Sequence, residues 1–301
     1  MGLFGRRREG AGPAAAEPDG SWPSFYALVI RELAGRGLLF EPEDDCIRIT
    51  SPRTMTVGLT NLWQQCRSSP VGEWEATVRR FLDRLLDSDD DPDDERFDEV
   101  RDHIKVRLYP SDYAAGLEVA VLARPFAEGV QAVLTIDRPT VVATFPPENL
   151  ERWGVGEEEL FRLGYHNVRV EPRPEMERLS LEDGVDVTVL EGASFFTTTK
   201  VLWLEELLGP LPEHGVLVAM PVRNVLLVHS IEGFGAVLAV RHLLELSRRI
   251  HDEGPGSLSP HLYWRHAGRL HHLPATVDSE GIQFFPPDDF VAVLERAGAG
   301  Y

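Results

Sequence analysis

The chain of 301 residues is long enough to bury one large hydrophobic core or two smaller ones, and its 43% hydrophobic and 9% aromatic content is ordinary for a globular protein. Thirty basic against 49 acidic residues leave a formal net charge of −19, which argues against nucleic-acid and anionic-membrane partners and favours a basic protein partner. No apolar run approaches the roughly 20 residues that a membrane-spanning helix needs, and Cys46 and Cys66 stand without a zinc or redox motif.

The composition divides the chain into four segments. We predict a disordered tail at 1–20, an N-terminal α+β lobe at 21–86, an acidic linker at 87–96 and a main α+β domain at 97–298. The first residues carry charge but no apolar stretch of a secretory signal, so we expect a cytoplasmic protein with reduced thiols.

The acidic linker resembles a calcium-binding EF-hand loop only in part. It places carboxylates at 87, 89 and 91, but Pro92 and Asp98 stand where that loop needs glycine and glutamate. We therefore interpret the segment as a solvated linker.

The N-terminal lobe begins with a predicted helix after Ser24, a candidate N-cap, and this helix stops at 35–37. Runs 38–40 and 46–49 are predicted to pair as a hairpin, followed by a short helix over 56–63 and an amphipathic helix over 73–86.

The main domain alternates short strands with helices. Strands are predicted over 106–109, 117–126, 130–136, 140–145, 185–190 and 282–285, and helices over 97–104, 148–153, 156–168, 199–208 and from Asp288. The tight connections between 117 and 145 favour an antiparallel meander.

Two apolar runs, Val216–Met220 and Val225–His229, flank the turn Pro221–Asn224. Because neither run alternates with polar residues, we predict a hairpin covered on both faces, with the following helical pattern docked against it. The fold class predicted for the chain is α+β, with antiparallel sheets of short strands and helices packed on them.

Three stretches together resemble the YtpQ-like family of uncharacterised bacterial proteins. They are the Tyr-Pro strand Ile104–Pro110, the tryptophan and acidic helix Trp153–Leu160 with His166–Val168, and the turn Pro221–Leu227. An acidic residue commonly stands in that family where Asn224 stands here. The resemblance implies a cytoplasmic bacterial protein and no particular activity.

Two stretches carry side chains suited to bind an anion. Thr197–Lys200 places hydroxyls and a lysine at the start of a predicted helix, although the same residues also suit a simple N-cap. Arg223 and Asn224 are expected at the tip of a turn held by a rigid hairpin, where binding residues often lie. The candidate binding residues are Thr198, Lys200, Arg223, Asn224 and His229.

Four histidines, His261, His266, His271 and His272, fall on a predicted hairpin that turns at Ala267-Gly268. With that turn, His266 and His271 share one face with Trp264 while the other two histidines share the opposite face. No face collects three ligands, so we predict no metal site.

Standard catalytic signatures are missing, and Ser194 lacks the second glycine of a nucleophile elbow, so we predict no catalytic residue and no cofactor. The favoured function is a non-catalytic protein-binding or regulatory module whose acidic surface meets a basic protein. The alternative is a hydrolase-type enzyme acting on a small anionic substrate, which requires a pocket that gathers Thr198, Lys200, Arg223 and a histidine.

Overall fold

A computed structural model describes residues 20–42, 46–51, 55–87, 96–117, 120–138, 142–232, 235–253, 256–278 and 281–299. The chain forms two compact units, Met1–Asp83 and Arg84–Tyr301. The segments predicted as a disordered tail and an acidic linker lie almost entirely outside the described residues.

The first unit combines helices with a small antiparallel sheet. Its elements are α1 (Trp22–Gly35), β1 (Leu39–Pro42), β2 (Cys46–Ser51), β3 (Met55–Gly58), α2 (Thr60–Arg67), a 3-10 turn (Val71–Glu73) and α3 (Trp74–Asp87). The strands pair in the order β1-β2-β3, which confirms the predicted hairpin.

Two sequence expectations for this unit were wrong. The N-cap of α1 is Ser21, whose hydroxyl accepts a hydrogen bond from the backbone N–H of Ser24, so the helix begins three residues early. Residues 55–58 form a strand and not a helix start, because β2 supplies a pairing partner that local patterning does not reveal.

A buried carboxylate connects two helices of the first unit. Glu32 on α1 is 7% exposed, and both Arg36 and Arg79 donate to it at 3.0 Å. Burial alone would raise the pKa of Glu32, but the hydrogen bonds from the two arginines outweigh it and lower the pKa.

In the same unit, Cys66 is a free and buried cysteine, and burial raises the pKa of its thiol to about 11.

The second unit opens with a short helix and a four-stranded antiparallel sheet. Its elements are α4 (Phe97–Val100), β4 (Ile104–Pro110), β5 (Ala123–Ala127), β6 (Val130–Asp137), β7 (Val142–Thr144), α5 (Glu148–Trp153) and α6 (Glu157–Arg169). Strand β6 is central and pairs with β4, β5 and β7, so the predicted antiparallel connections are confirmed.

A six-stranded antiparallel sheet follows, in the order β13-β12-β10-β11-β9-β8. Its strands are β8 (Glu175–Ser180), β9 (Asp186–Glu191), β10 (Val216–Val222), β11 (Val225–Ser230), β12 (Leu262–His266) and β13 (Arg269–Leu273). Between β9 and β10 lies a 3-10 segment (Thr197–Trp203) that continues into α7 (Leu204–Leu208), and between β11 and β12 lies α8 (Gly235–Glu253). The pair β14 (Ala275–Asp278) and β15 (Gly281–Phe284) precedes α9 (Asp288–Ala299).

The hairpin of β10 and β11 separates two hydrophobic cores. Leu226 and Val228 face the core shared with β4, β6 and α6, whereas Leu227 faces the core beneath α8. All of β10 is buried, as are the first four residues of β11. The predicted water-excluded hairpin with a docked helix is therefore confirmed, and so is the α+β class.

Other boundaries differ from the sequence expectations. The predicted helix 97–104 ends at Val100 because Ile104 already pairs with Ile136 in β6. Strands β8 and β14 were not predicted. Among the described residues, no helix is both long enough and apolar enough to cross a membrane.

Candidate functional site

Three loops meet near the turn between β10 and β11. The backbone N–H of Gly192, just after β9, donates to the carbonyl of Asn224 at 3.1 Å. The N–H of Thr198, in the 3-10 segment, donates to the carbonyl of Arg223 at 3.2 Å. These bonds bring together three of the five predicted binding residues, Thr198, Arg223 and Asn224.

The threonine hydroxyls of the 3-10 segment point inward. Thr198 donates to the carbonyl of Arg223 at 3.1 Å, and Thr199 donates to the carbonyl of Val106 at 3.0 Å. Thr197 is also buried and bonds the carbonyl of Ser194 at 2.8 Å. The hydroxyls therefore tie the segment to its neighbours and are already occupied.

Lys200 is likewise engaged within the fold. It is buried, and its Nζ donates to the carbonyls of Val168 and Glu171, at 2.8 and 3.1 Å, beside the C-terminus of α6. A cation is favourable at that end of a helix dipole. Burial lowers the pKa of Lys200, although the charge of Glu171 acts in the opposite direction.

An open groove of about 600 Å³ lies beside these loops. Thr197 and Asn224 line it, together with three carboxylates, Glu171, Glu175 and Glu191, and one cation, Arg173. Neither Lys200, Arg223 nor any histidine is among its described lining residues. The groove is therefore acidic, and it does not gather the set of residues that the hydrolase alternative requires.

A chain of polar side chains begins at the groove with Ser194 and Glu171 and continues to Lys105 and Asp137. Ser194 donates to the Glu171 carboxylate at 2.7 Å, and Lys105 donates to that same carboxylate and to Asp137. Burial alone would lower the pKa of Lys105, but the bonds to both carboxylates outweigh it and raise the pKa. Both oxygens of the Glu171 carboxylate are therefore engaged, Oε2 by the hydroxyl of Ser194 and Oε1 by the ammonium of Lys105.

His229 lies away from the loop cluster. Its Nδ1 is 2.7 Å from the carbonyl oxygen of Asp186, and in the hairpin register it faces Leu217. His229 lies four residue steps along β11 from Val225 at the turn, a distance of about 13 Å. The structure does not bring His229 to the other predicted residues.

Arg223 packs against an aromatic ring that sequence reasoning did not select. Its guanidinium carbon lies 4.1 Å from the ring centroid of Phe195, and that of Arg107 lies 5.5 Å from the same centroid. Arg107 comes from β4, more than a hundred residues earlier in the chain. The sequence feature that could have drawn attention to Arg107 is its charge within the mostly apolar strand β4.

The histidine hairpin has the predicted geometry. Ala267 and Gly268 form the turn with φ of 48° and 77°, which leaves His266 facing Arg269 in the register. His266 and His271 pack on Trp264, while the rings of His261 and His272 lie 4.9 Å apart on the other face. Across the described parts of the chain, no three His, Cys, Asp or Glu side chains cluster as metal ligands would.

Comparisons with protein-family models, with curated proteins and with solved structures found no match to this chain.

Proposed function

We propose that the protein is a non-catalytic binding module whose acidic surface docks an extended basic segment of a protein partner. The observation that carries this proposal is strand β8, which lies at the edge of the six-stranded sheet with all six residues exposed. An edge strand offers backbone N–H and C=O groups to an incoming strand.

The charges around β8 favour a basic occupant. Glu175 and Glu177 lie on β8 with one cation, Arg178, and Glu191 lies opposite Glu175 on β9. Glu175 and Glu191 also line the acidic groove. With a net charge of −19 behind them, these carboxylates would attract lysine and arginine side chains and repel nucleic acid.

The exposure of apolar side chains on β8 also supports docking at this strand. Met176 and Leu179 on β8 are 59% and 37% exposed, although both are apolar. A strand without cover on either face contributes little core of its own, so a docked strand would supply the missing apolar contacts.

The proposal can be tested with charge-reversed variants as bait. Wild type and Glu175→Lys/Glu191→Lys would be immobilised, incubated with cytoplasmic extract from a bacterium at low salt, and eluted with high salt before mass spectrometry. We expect basic proteins on the wild type and their loss from the variant. Glu148→Lys/Glu151→Lys on α5 makes the same charge change elsewhere and should retain them.

Hydrogen exchange on the purified complex then tests the mode of docking. Amides of β8 should become protected when the captured partner binds. If nothing is retained at low salt, or if both double variants retain the same proteins, the acidic-surface proposal is wrong.

The described lining of the groove does not gather the residues that the hydrolase alternative requires, so a single observation favours it, the hydrogen bond that Ser194 donates to Glu171 beside the groove. A screen of small phosphate and carboxylate esters tests it, with Ser194→Ala as the control. Turnover that disappears in Ser194→Ala would favour the enzyme over the binding module.

We further propose a cytoplasmic bacterial location and membership of the YtpQ-like family. Support comes from the three sequence stretches, two of which include Arg107 and Arg223. Solved structures of that family would test the relation by their strand order.

A further inference from the structure

Two buried arginines meet at Phe195. Arg107 is 9% exposed and its guanidinium carbon lies 4.4 Å from the ring centroid of Tyr109, in addition to its contact with Phe195. Arg223 is 6% exposed and packs on the same phenylalanine. Two like charges thus lie together in a place largely removed from water.

Within the described residues, neither guanidinium has an acidic partner or a hydrogen-bond acceptor, and Nε of Arg107 is a buried donor without an acceptor. Other buried cations are treated differently. Lys200 donates to two carbonyls, and Arg265, although its Nε also lacks an acceptor, donates through Nη2 to the carbonyl of Leu202 and to Glu205. Arg107 and Arg223 thus differ from Lys200 and Arg265, whose charged groups have hydrogen-bond acceptors within the fold.

An unpaired buried charge is costly, and a second like charge beside it adds repulsion. Stacking on aromatic rings offsets part of this cost but leaves the N–H donors unused. Burial, and then the neighbouring charge of Arg107, lower the pKa of Arg223 to about 10, so it remains charged at neutral pH. An oxyanion that contacted both guanidiniums would neutralise them and accept their hydrogen bonds.

We propose that Arg107 and Arg223 bind a phosphate group, as free phosphate or as the phosphate of a small ester. Two guanidinium forks match the two charges and several oxygens of a phosphate dianion, whereas a carboxylate carries one charge. The small exposed fractions of both arginines fit a compact anion. The proposed ligand differs from the basic segment proposed to dock on β8, so this inference goes beyond that function.

The backbone around Arg223 supports a fixed position for its side chain. The N–H of Arg223 donates to the carbonyl of Gly256 at 3.0 Å, and Gly256 has φ of +72°. A Cβ at Gly256 would lie 2.7 Å from Cδ and Nη1 of Arg223. The absence of a side chain there lets the guanidinium lie against the backbone.

A phenol completes the surroundings. Tyr113 stacks on Tyr109 with ring centroids 3.8 Å apart and forms a side-chain hydrogen bond with it; burial, together with Tyr109, raises the pKa of Tyr113, so its hydroxyl stays protonated and adds no negative charge beside Arg107. Since the whole chain is strongly negative, an anion would bind only where local cations outweigh the overall repulsion.

The test is calorimetric titration of the full chain with inorganic phosphate at constant ionic strength, repeated with phenyl phosphate and with acetate. We expect saturable binding of phosphate or phenyl phosphate and none of acetate. Stronger binding of phenyl phosphate would identify an ester as the ligand, and stronger binding of phosphate would identify the free ion.

Arg107→Met and Arg223→Met should each weaken phosphate binding about ten- to a hundredfold, as loss of a charged hydrogen-bond donor does. Arg124→Met is the matched control, because Arg124 also packs on a phenylalanine, 3.9 Å from the Phe161 centroid, but pairs with Glu158. Its phosphate binding should equal that of the wild type.

Arg223→Lys keeps the positive charge and serves as a second variant in case the methionine variants misfold. Circular dichroism checks the folding of each protein. It should bind phosphate more weakly than wild type but more strongly than Arg223→Met. Absence of phosphate and phenyl phosphate binding by the wild type, equal binding of acetate, or equal loss in Arg124→Met would each overturn the proposal.

Discussion

Among single residues, His261 and His272 are the clearest candidates for a dependence of stability on pH. The His261 ring lies against Gly129, and Nε2 of His272 is a buried atom without a partner among the described residues. Burial lowers the pKa of both histidines, and the charge of His272 lowers that of His261 further. The charge of Glu128 opposes both shifts without reversing them.

The direction of the pH effect follows from linkage. Unfolded histidines take up protons below about pH 6.5, before the folded pair does, so the free energy of unfolding should fall as the pH decreases from there. Urea denaturation between about pH 7.5 and pH 5 would measure this slope. His272→Gln should flatten it, while His166→Gln, at an exposed position on α6, should not; equal slopes in all three proteins would contradict the assignment.

The sequence identified several side chains of the loop cluster but not the directions in which they point. Thr198 and Lys200 suited an anion site by type, yet their acceptors, the carbonyls of Arg223 and Val168, lie far away in the chain. Hydrogen bonds between distant segments leave no local pattern. For the same reason Arg107 could not be placed beside Arg223 from sequence.

Among the elements, β11 contributes to both hydrophobic cores, because its two faces belong to different cores. Leu226 and Leu227 are adjacent and both fully buried, one in each core. Leu226→Ala and Leu227→Ala should each lower the free energy of unfolding by about 2–5 kcal/mol. Since the two side chains share no core, the double variant should lose nearly the sum.

Chemical denaturation followed by circular dichroism measures these changes. Val237→Ala on α8 removes an apolar side chain that is 52% exposed, and it should cost less than about 0.5 kcal/mol. A loss in Val237→Ala as large as in the leucine variants, or a strongly non-additive double variant, would contradict the two-core arrangement.

Whether an element could be predicted depended on its burial. The apolar runs of β10 and β11 predicted a hairpin because both faces are covered, and the structure confirms it. Strand β8 was missed because exposure on both faces removes any apolar alternation. Residues 197–203 form a 3-10 segment and not the predicted start of an α-helix at 199, and their threonine hydroxyls bond carbonyls outside the segment.

At the scale of the whole molecule, the net charge of −19 should destabilise the compact state through self-repulsion. Added salt screens that repulsion, so raising sodium chloride from about 10 mM to about 150 mM should increase the melting temperature by a few degrees. Differential scanning calorimetry in a buffer without phosphate would measure the change. A decrease would mean that ion pairs, such as those of Glu32, outweigh the repulsion.

The α+β class was predictable because it depends on the order and type of elements, which short apolar runs and helical periodicity report. The strand order was not. The six-stranded sheet places β12 and β13 beside β10 across the intervening α8, a long-range arrangement that local patterns do not encode.

The turn that carries Arg223 is anchored by strands sealed on both sides, which has a thermodynamic consequence for any ligand there. Moving this turn would disturb two hydrophobic cores at once, so we expect the free protein to hold the guanidinium in the orientation that the proposed phosphate would meet. Association would then require little ordering of the chain and little change of shape.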